Sequence, residues 1–136
     1  MIPSEPLERA VSISQASGRI YMATADHGGL PHIAAAGPLT LLSDQKRVVF
    51  EAWSCPRTVA NLGVNHWMAL VVLPPGKDIG YELLGWLEES EDVLLMSGFD
   101  PQREAQRSIP QAKKRLIMRV DKIIGFQPAA HTDKSL

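Results

Sequence analysis

The residues with the most chemistry in them share one short window, Trp53-Ser54-Cys55-Pro56-Arg57-Thr58-Val59-Ala60-Asn61-Leu62. Ser54 and Thr58 offer hydroxyl donors, and the planar guanidinium of Arg57 matches the oxygens of a phosphate. Pro56 suits the first turn of a helix. A helix starting here would aim unpaired backbone N–H groups and the positive end of its dipole at an anion. The window therefore points to phosphate binding. The same residues also permit a plainer reading, in which Ser54 caps the helix, Arg57 extends into solvent and Thr58 lies on an exposed helical face.

The remaining reactive side chains carry less. Cys55 is the only cysteine, which excludes an intramolecular disulfide and a zinc site built on several thiolates. With no resolving cysteine and no neighbouring histidine, it reads as a bystander thiol rather than a redox centre. His27 and His32 lie close together across a turn, but no third ligand shows recognised spacing, so no metal site is expected. His27 and His32 read as hairpin residues at the surface or beside a ligand, and His66 and His131 as surface residues.

The chain has 136 residues, 45% hydrophobic and 21% charged, the balance of one folded domain spanning 1–136. Lys plus Arg number 14 against 15 for Asp plus Glu, a net charge of -1 that leaves no electrostatic footprint for nucleic acid. The tract Lys113-Lys114-Arg115 with Arg119 and Lys122 reads as the solvated face of an alternating strand. The N-terminus lacks the basic and apolar regions of a signal peptide, and no apolar run approaches the roughly 18 residues of a membrane span. A cytoplasmic protein with no membrane partner is expected.

The elements that must position the window follow from periodicity. A short helix over Leu7–Ala16 ends at Gly18. Arg19–Ala25 is a strand, turning at Asp26-His27-Gly28-Gly29 into a second that runs from Pro31 through the small residues Ile33-Ala34-Ala35-Ala36-Gly37-Pro38 to Leu42. Arg47–Trp53 is a third strand, rich in β-branched and aromatic residues. A helix over Arg57–Val64 follows it. Trp67–Leu73 and Tyr81–Glu89 are strands, the latter alternating Leu83, Gly85 and Leu87 against Leu84, Trp86 and Glu88. Ser90–Pro110 is mixed, with a helix from Asp100 through about Arg107. Lys113–Phe126 puts Leu116, Met118 and Val120 on one face and Arg119 and Asp121 on the other. The tail from about 127 is expected to fray. The fold class is mainly β with short helices, an antiparallel six-stranded barrel that hides its edges.

The order of these pieces resembles the FMN-binding split-barrel family related to pyridoxamine 5′-phosphate oxidase, over roughly residues 15 to 126. The hairpin Ala23-Thr24-Ala25-Asp26-His27-Gly28-Gly29-Leu30-Pro31-His32 resembles that family's "Ala-Thr, acidic, Gly, Pro-His" pattern. The third strand then leads to Ser54, Arg57-Thr58 and Asn61-Leu62. A valine-rich strand, Met68-Ala69-Leu70-Val71-Val72, and a glycine-containing one, Leu84-Gly85-Trp86-Leu87-Glu88, follow in order. The resemblance implies a split β-barrel in which Arg57 and Thr58 hold the FMN phosphate, Ser54 joins them, and the backbone of Glu51, Ala52 and Trp53 lies along the flavin ring. It also implies a homodimer with both protomers lining each site. The chain departs from the family at Ala34-Ala35-Ala36, where many members carry polar residues. It also lacks a counterpart of the C-terminal substrate-binding segment of pyridoxamine 5′-phosphate oxidase, so that activity is not carried over.

The expectation is thus a flavoprotein, a possible oxidoreductase, acting in redox or electron transfer through noncovalent FMN. No side chain is singled out as a catalytic acid or base, and the redox partner or substrate is unnamed. Two alternatives stand beside it: a nonenzymatic module binding flavin, haem or another planar ligand, and a dimeric barrel without cofactor. Trp53 would pack against the ring or across the dimer. The apolar strands Trp67–Leu73 and Tyr81–Leu87 carry more apolar surface than one barrel interior buries, which favours a partner.

Overall fold

The computed structural model describes residues 3–53, 55–95 and 112–136. Nine elements follow in order: α1 (Ser4–Ser17), β1 (Ile20–Ala25), β2 (Pro31–Ala36), β3 (Thr40–Leu41), β4 (Arg47–Trp53), α2 (Pro56–Val64), β5 (Trp67–Val72), β6 (Gly80–Leu95) and β7 (Ala112–Phe126). The strands form one antiparallel sheet in the order β2-β1-β5-β6-β7-β4-β3. The predicted helix from Asp100 and the residue Ser54 lie outside the described residues.

The sheet has seven strands rather than the six expected, because the stretch read as one strand from Pro31 to Leu42 is two. Pro38 has no N–H for a ladder, and the Gly37 N–H leaves β2 to reach the Glu51 carbonyl on β4 at 2.8 Å. A Cβ at Gly37 would stand 3.3 Å from that same oxygen, so the absent side chain lets the two backbones meet. This bond ties the chain just past β2 to β4 across a sheet that is not closed by a continuous ladder, an arrangement consistent with a split barrel.

Alternation fills the interior. Val48, Phe50 and Ala52 of β4, Leu83 and Leu87 of β6, and Leu116, Met118 and Val120 of β7 are all buried, and each large apolar side chain so placed contributes roughly 1.5–3 kcal/mol. β6 and β7 are longer than expected, and their register shifts at Leu84/Gly85, Leu87/Glu89 and Asp92/Leu94. The first leaves Asp121 of β7 extra, while the second and third leave Glu88 and Val93 of β6 extra and reset its two-residue period, which is why Ser90–Leu95 does not read as a continuation of Tyr81–Glu89. At the first bulge a Cβ on Gly85 would collide with the Arg119 carbonyl and the Met118 side chain.

The two helices sit at opposite ends of the barrel. α1 lies beside Leu39 and the start of β6, where Arg9 Nε donates to the Tyr81 hydroxyl at 2.9 Å. Ser14 is fully buried; its hydroxyl donates to the Val11 carbonyl at 2.7 Å and accepts from the Leu39 N–H at 2.9 Å. Gln15 Nε2 donates to the Leu39 carbonyl at 3.0 Å. Side chains of α1 thus satisfy both backbone groups of Leu39 where the strand is interrupted. α2 lies at the other end, tied to β1 by a buried bond from Asn61 Nδ2 to Thr24 Oγ1 at 3.0 Å.

The β1–β2 turn forms as expected: Asp26 Oδ1 accepts from the Gly28 and Leu30 N–H groups, both at 2.9 Å, and Gly29 takes a φ of 90°. The tail does not simply fray. Ser135 bridges to Ile124, and the Leu136 N–H donates to the Ile123 carbonyl at 2.9 Å.

Candidate functional site

α2 begins where a phosphate site needs a helix to begin. Its N-cap is Cys55, whose side chain makes no capping bond, and Pro56 occupies the first turn. The first helical bond described runs from the Val59 N–H to the Cys55 carbonyl at 3.0 Å. A helix end of this kind presents N–H groups and a positive partial charge.

Thr58 settles one of the alternatives left by the sequence. It is 4% exposed, not on an outer helical face. Its Oγ1 is buried and has no hydrogen-bond partner among the described residues. Leaving a buried hydroxyl unpaired costs about 1–3 kcal/mol. Thr58 lines a cavity of about 330 Å³ with Trp53, Leu62, Leu87 and Leu116 forming much of its apolar wall. Arg57 stands exposed in the same first turn and makes no hydrogen bond or ion pair among the described residues. It does not line that cavity.

Glu51, Ala52 and Trp53 form the end of β4 beyond its short partner. β3 pairs only with Val48 and Val49, so past Val49 this edge of β4 is covered by no strand among the described residues, and Gly37 reaches it at Glu51 alone. Ala52 faces inward and is buried. Glu51 and Trp53 face outward, opposite Arg115 and Lys113 of β7. A second, open cavity of about 660 Å³ lies along this face, with Ala35, Gly37, Glu51 and Arg115 in its lining. Trp53, 42% exposed, borders both cavities. Ala35 and Ala36 contribute small side chains without hydrogen-bonding groups to its lining. Lys113 stands 3.7 Å from Glu51. The Arg115 guanidinium is raised above its ordinary value, first by its hydrogen bond to Glu91 and then by that carboxylate's charge.

Two residues, Lys114 and His66, line the inner cavity although their positions in the sequence do not single them out. Lys114, taken as part of a solvated face, lines the inner cavity. The missed signal is parity: Lys114 falls in step with Leu116, Met118 and Val120, the buried face of β7. His66 is exposed, as expected, but sits on the cavity wall with its ring edge-on to Trp86 at 5.1 Å. His32 is half-buried, and its Nε2 is a second buried atom without a hydrogen-bond partner. Cys55 is a free, half-buried thiol. No cluster of potential metal ligands occurs among the described residues, and no described helix is long and apolar enough to cross a membrane.

No family model matches the chain, and no curated protein matches it in sequence. Solved structures do match. An FMN-binding protein from Syntrophomonas wolfei is 20% identical, with 94% of this chain and 89% of that chain covered and a TM-score of 0.65. A Clostridium acetobutylicum protein related to general stress protein 26, of the pyridoxinephosphate oxidase family, is 16% identical over 99% of this chain and 97% of that one, also with a TM-score of 0.65. HupZ of Group A Streptococcus is 18% identical over 97% and 99%, with a TM-score of 0.60. The chain shares the fold of FMN-binding and pyridoxamine 5′-phosphate oxidase-related proteins.

Proposed function

We propose that this protein binds FMN noncovalently, with the phosphate at the first turn of α2 and the ring system along the uncovered edge Glu51–Trp53, and that it acts in redox or electron transfer. The observation that carries the reading is the buried Thr58 hydroxyl, without a partner among the described residues, at a helix start whose N-cap side chain makes no capping bond. A phosphate oxygen is the acceptor it lacks, and the adjoining helix end favours the negative charge. Arg57, in the same turn, supplies a charged donor fork. FMN itself brings one- and two-electron chemistry when bound. The chain's own residues bind, orient and shield it: Thr58 and Arg57 take the phosphate, Trp53 and the edge of β4 line the ring, and the wall formed by Leu62, Leu87 and Leu116 keeps water away. The alanines of β2 permit close approach of a planar ligand while their side chains donate nothing to its polar atoms.

A homodimer completes the proposal. On the outer face, Ile33, Ala23, Ala69 and Leu84 stand in one cross-strand row over β2, β1, β5 and β6. Trp67, paired with Trp86, lies farther along β5 and β6. Ile33 and Trp67 are exposed. An apolar outer face of this extent suits a partner subunit. The test is a visible spectrum of the purified protein after FMN addition and gel filtration, with sedimentation run in parallel. Retained flavin bands on a dimer support the reading. A protein that releases all FMN on gel filtration contradicts the binding, and a monomer that retains it contradicts the shared site. Turnover with NADH or NADPH and an added acceptor separates an enzyme from a binding module.

A further inference from the structure

We infer that Lys114 is a specificity-determining cation of the inner cavity, one that exchanges the Asp92 carboxylate for the phosphate of an incoming ligand. The inference rests on the FMN reading above and assigns it a residue on β7, far from α2 in sequence. Lys114 and Thr58 line the same small cavity, along with Glu88 and Glu89. Two acidic residues in that lining would repel a phosphate unless a cation offset them, and Lys114 is the one lysine or arginine in it among the described residues. Glu88 is partly neutralised, standing 3.9 Å from Arg47 and 3.8 Å from Arg119.

The geometry around Lys114 differs from that of its neighbours. Its side chain is 28% exposed, less than those of Lys113 and Arg115. Its Nζ stands 2.8 Å from Asp92 Oδ1, directly across the β6–β7 ladder. Asp92 is 58% exposed, and an ion pair with one well-solvated partner is weak and screened by salt. A phosphate dianion drawn out of water beside a helix end is the stronger partner for an ammonium. Asp92 therefore holds Lys114 at the cavity mouth until a phosphate replaces it.

The test uses the full chain and two ligands, FMN and riboflavin, titrated by quenching of flavin fluorescence. Lys114→Met should lower FMN affinity about tenfold, the loss of one modest charged contact, and leave riboflavin affinity unchanged. Lys114→Arg should keep most of the preference for FMN. Asp92→Asn should act in the opposite direction and tighten FMN binding several-fold, because the competing carboxylate is gone; a purely structural ion pair would not give that sign. Should Lys114→Met fail to fold, Asp92→Asn decides: FMN binding unchanged or weaker overturns the exchange. If the unmodified protein does not distinguish FMN from riboflavin, the phosphate reading itself fails. If it does, and Lys114→Met retains the full distinction, the Lys114 assignment alone is overturned.

Discussion

The two ends of this barrel are both closed by a helix, yet they treat their polar groups in opposite ways. At the α1 end, Ser14 and Gln15 satisfy both backbone groups of Leu39, and Ser14 also donates to Val11. At the α2 end, Asn61 is bonded to Thr24, but one turn earlier the Thr58 hydroxyl is buried with no partner among the described residues, on a residue that lines a cavity. A buried polar group that is satisfied adds to the specification of the fold, whereas one left open lowers stability unless a ligand meets it. The α1 end is therefore read as structure and the α2 end as site.

Substitutions at the two ends should separate along that line. Arg57→Ala should cost about 1.5–3 kcal/mol of FMN binding through loss of a charged contact, while stability stays within about 0.5 kcal/mol because the side chain is exposed; calorimetric titration and a denaturant melt read the two effects. Ser14→Ala should do the reverse. It leaves the Leu39 N–H buried without an acceptor, so stability should fall by about 1–3 kcal/mol with the FMN to riboflavin affinity ratio unchanged. Thr58→Val sharpens the contrast, since it removes an unpaired hydroxyl at nearly constant volume. The unliganded protein should be as stable as the parent or up to about 1 kcal/mol more so, yet bind FMN more weakly, by less than Arg57→Ala does. A Thr58→Val protein that loses stability would mean the hydroxyl is satisfied in solution.

The smallest expected effect belongs to the hairpin near the α2 end. The Asp26 carboxyl is held below its ordinary value of 3.8, first by the hydrogen bond from the Leu30 backbone and with a further contribution from Gly28. Its contribution to stability is therefore fully present above that ordinary value and lost as pH falls through the lower folded one. Asp26→Asn should flatten the acid side of the stability curve in that window and leave it unchanged near neutrality. An unaltered acid limb would show that the turn is not held by the charged carboxylate.

Much of this was legible in the sequence, and the failures have physical causes. β4 is found over Arg47–Trp53 as its β-branched and aromatic run indicates, and α2 begins within a residue of its expected start because Pro56 marks the first turn. The inward set Leu83, Gly85 and Leu87 and the inward set Leu116, Met118 and Val120 follow from strict alternation. The break at Gly37-Pro38 was hidden because its cause lies on another strand, at Glu51. The full length of β6 was hidden by bulges, which reset the period that makes a strand recognisable. At the site, Thr58 and Arg57 stand out by type and spacing, but the burial that distinguishes them depends on what α2 packs against. Lys114 was visible by parity and was outweighed by the run of basic residues around it.

A phosphate held at the start of α2 would be felt in the affinity of the unmodified protein for FMN against riboflavin, two ligands that differ by that phosphate alone. FMN should bind much more tightly, with the difference shrinking as salt concentration rises, because the contacts it adds are charged. Equal affinity for the two at low salt would contradict it.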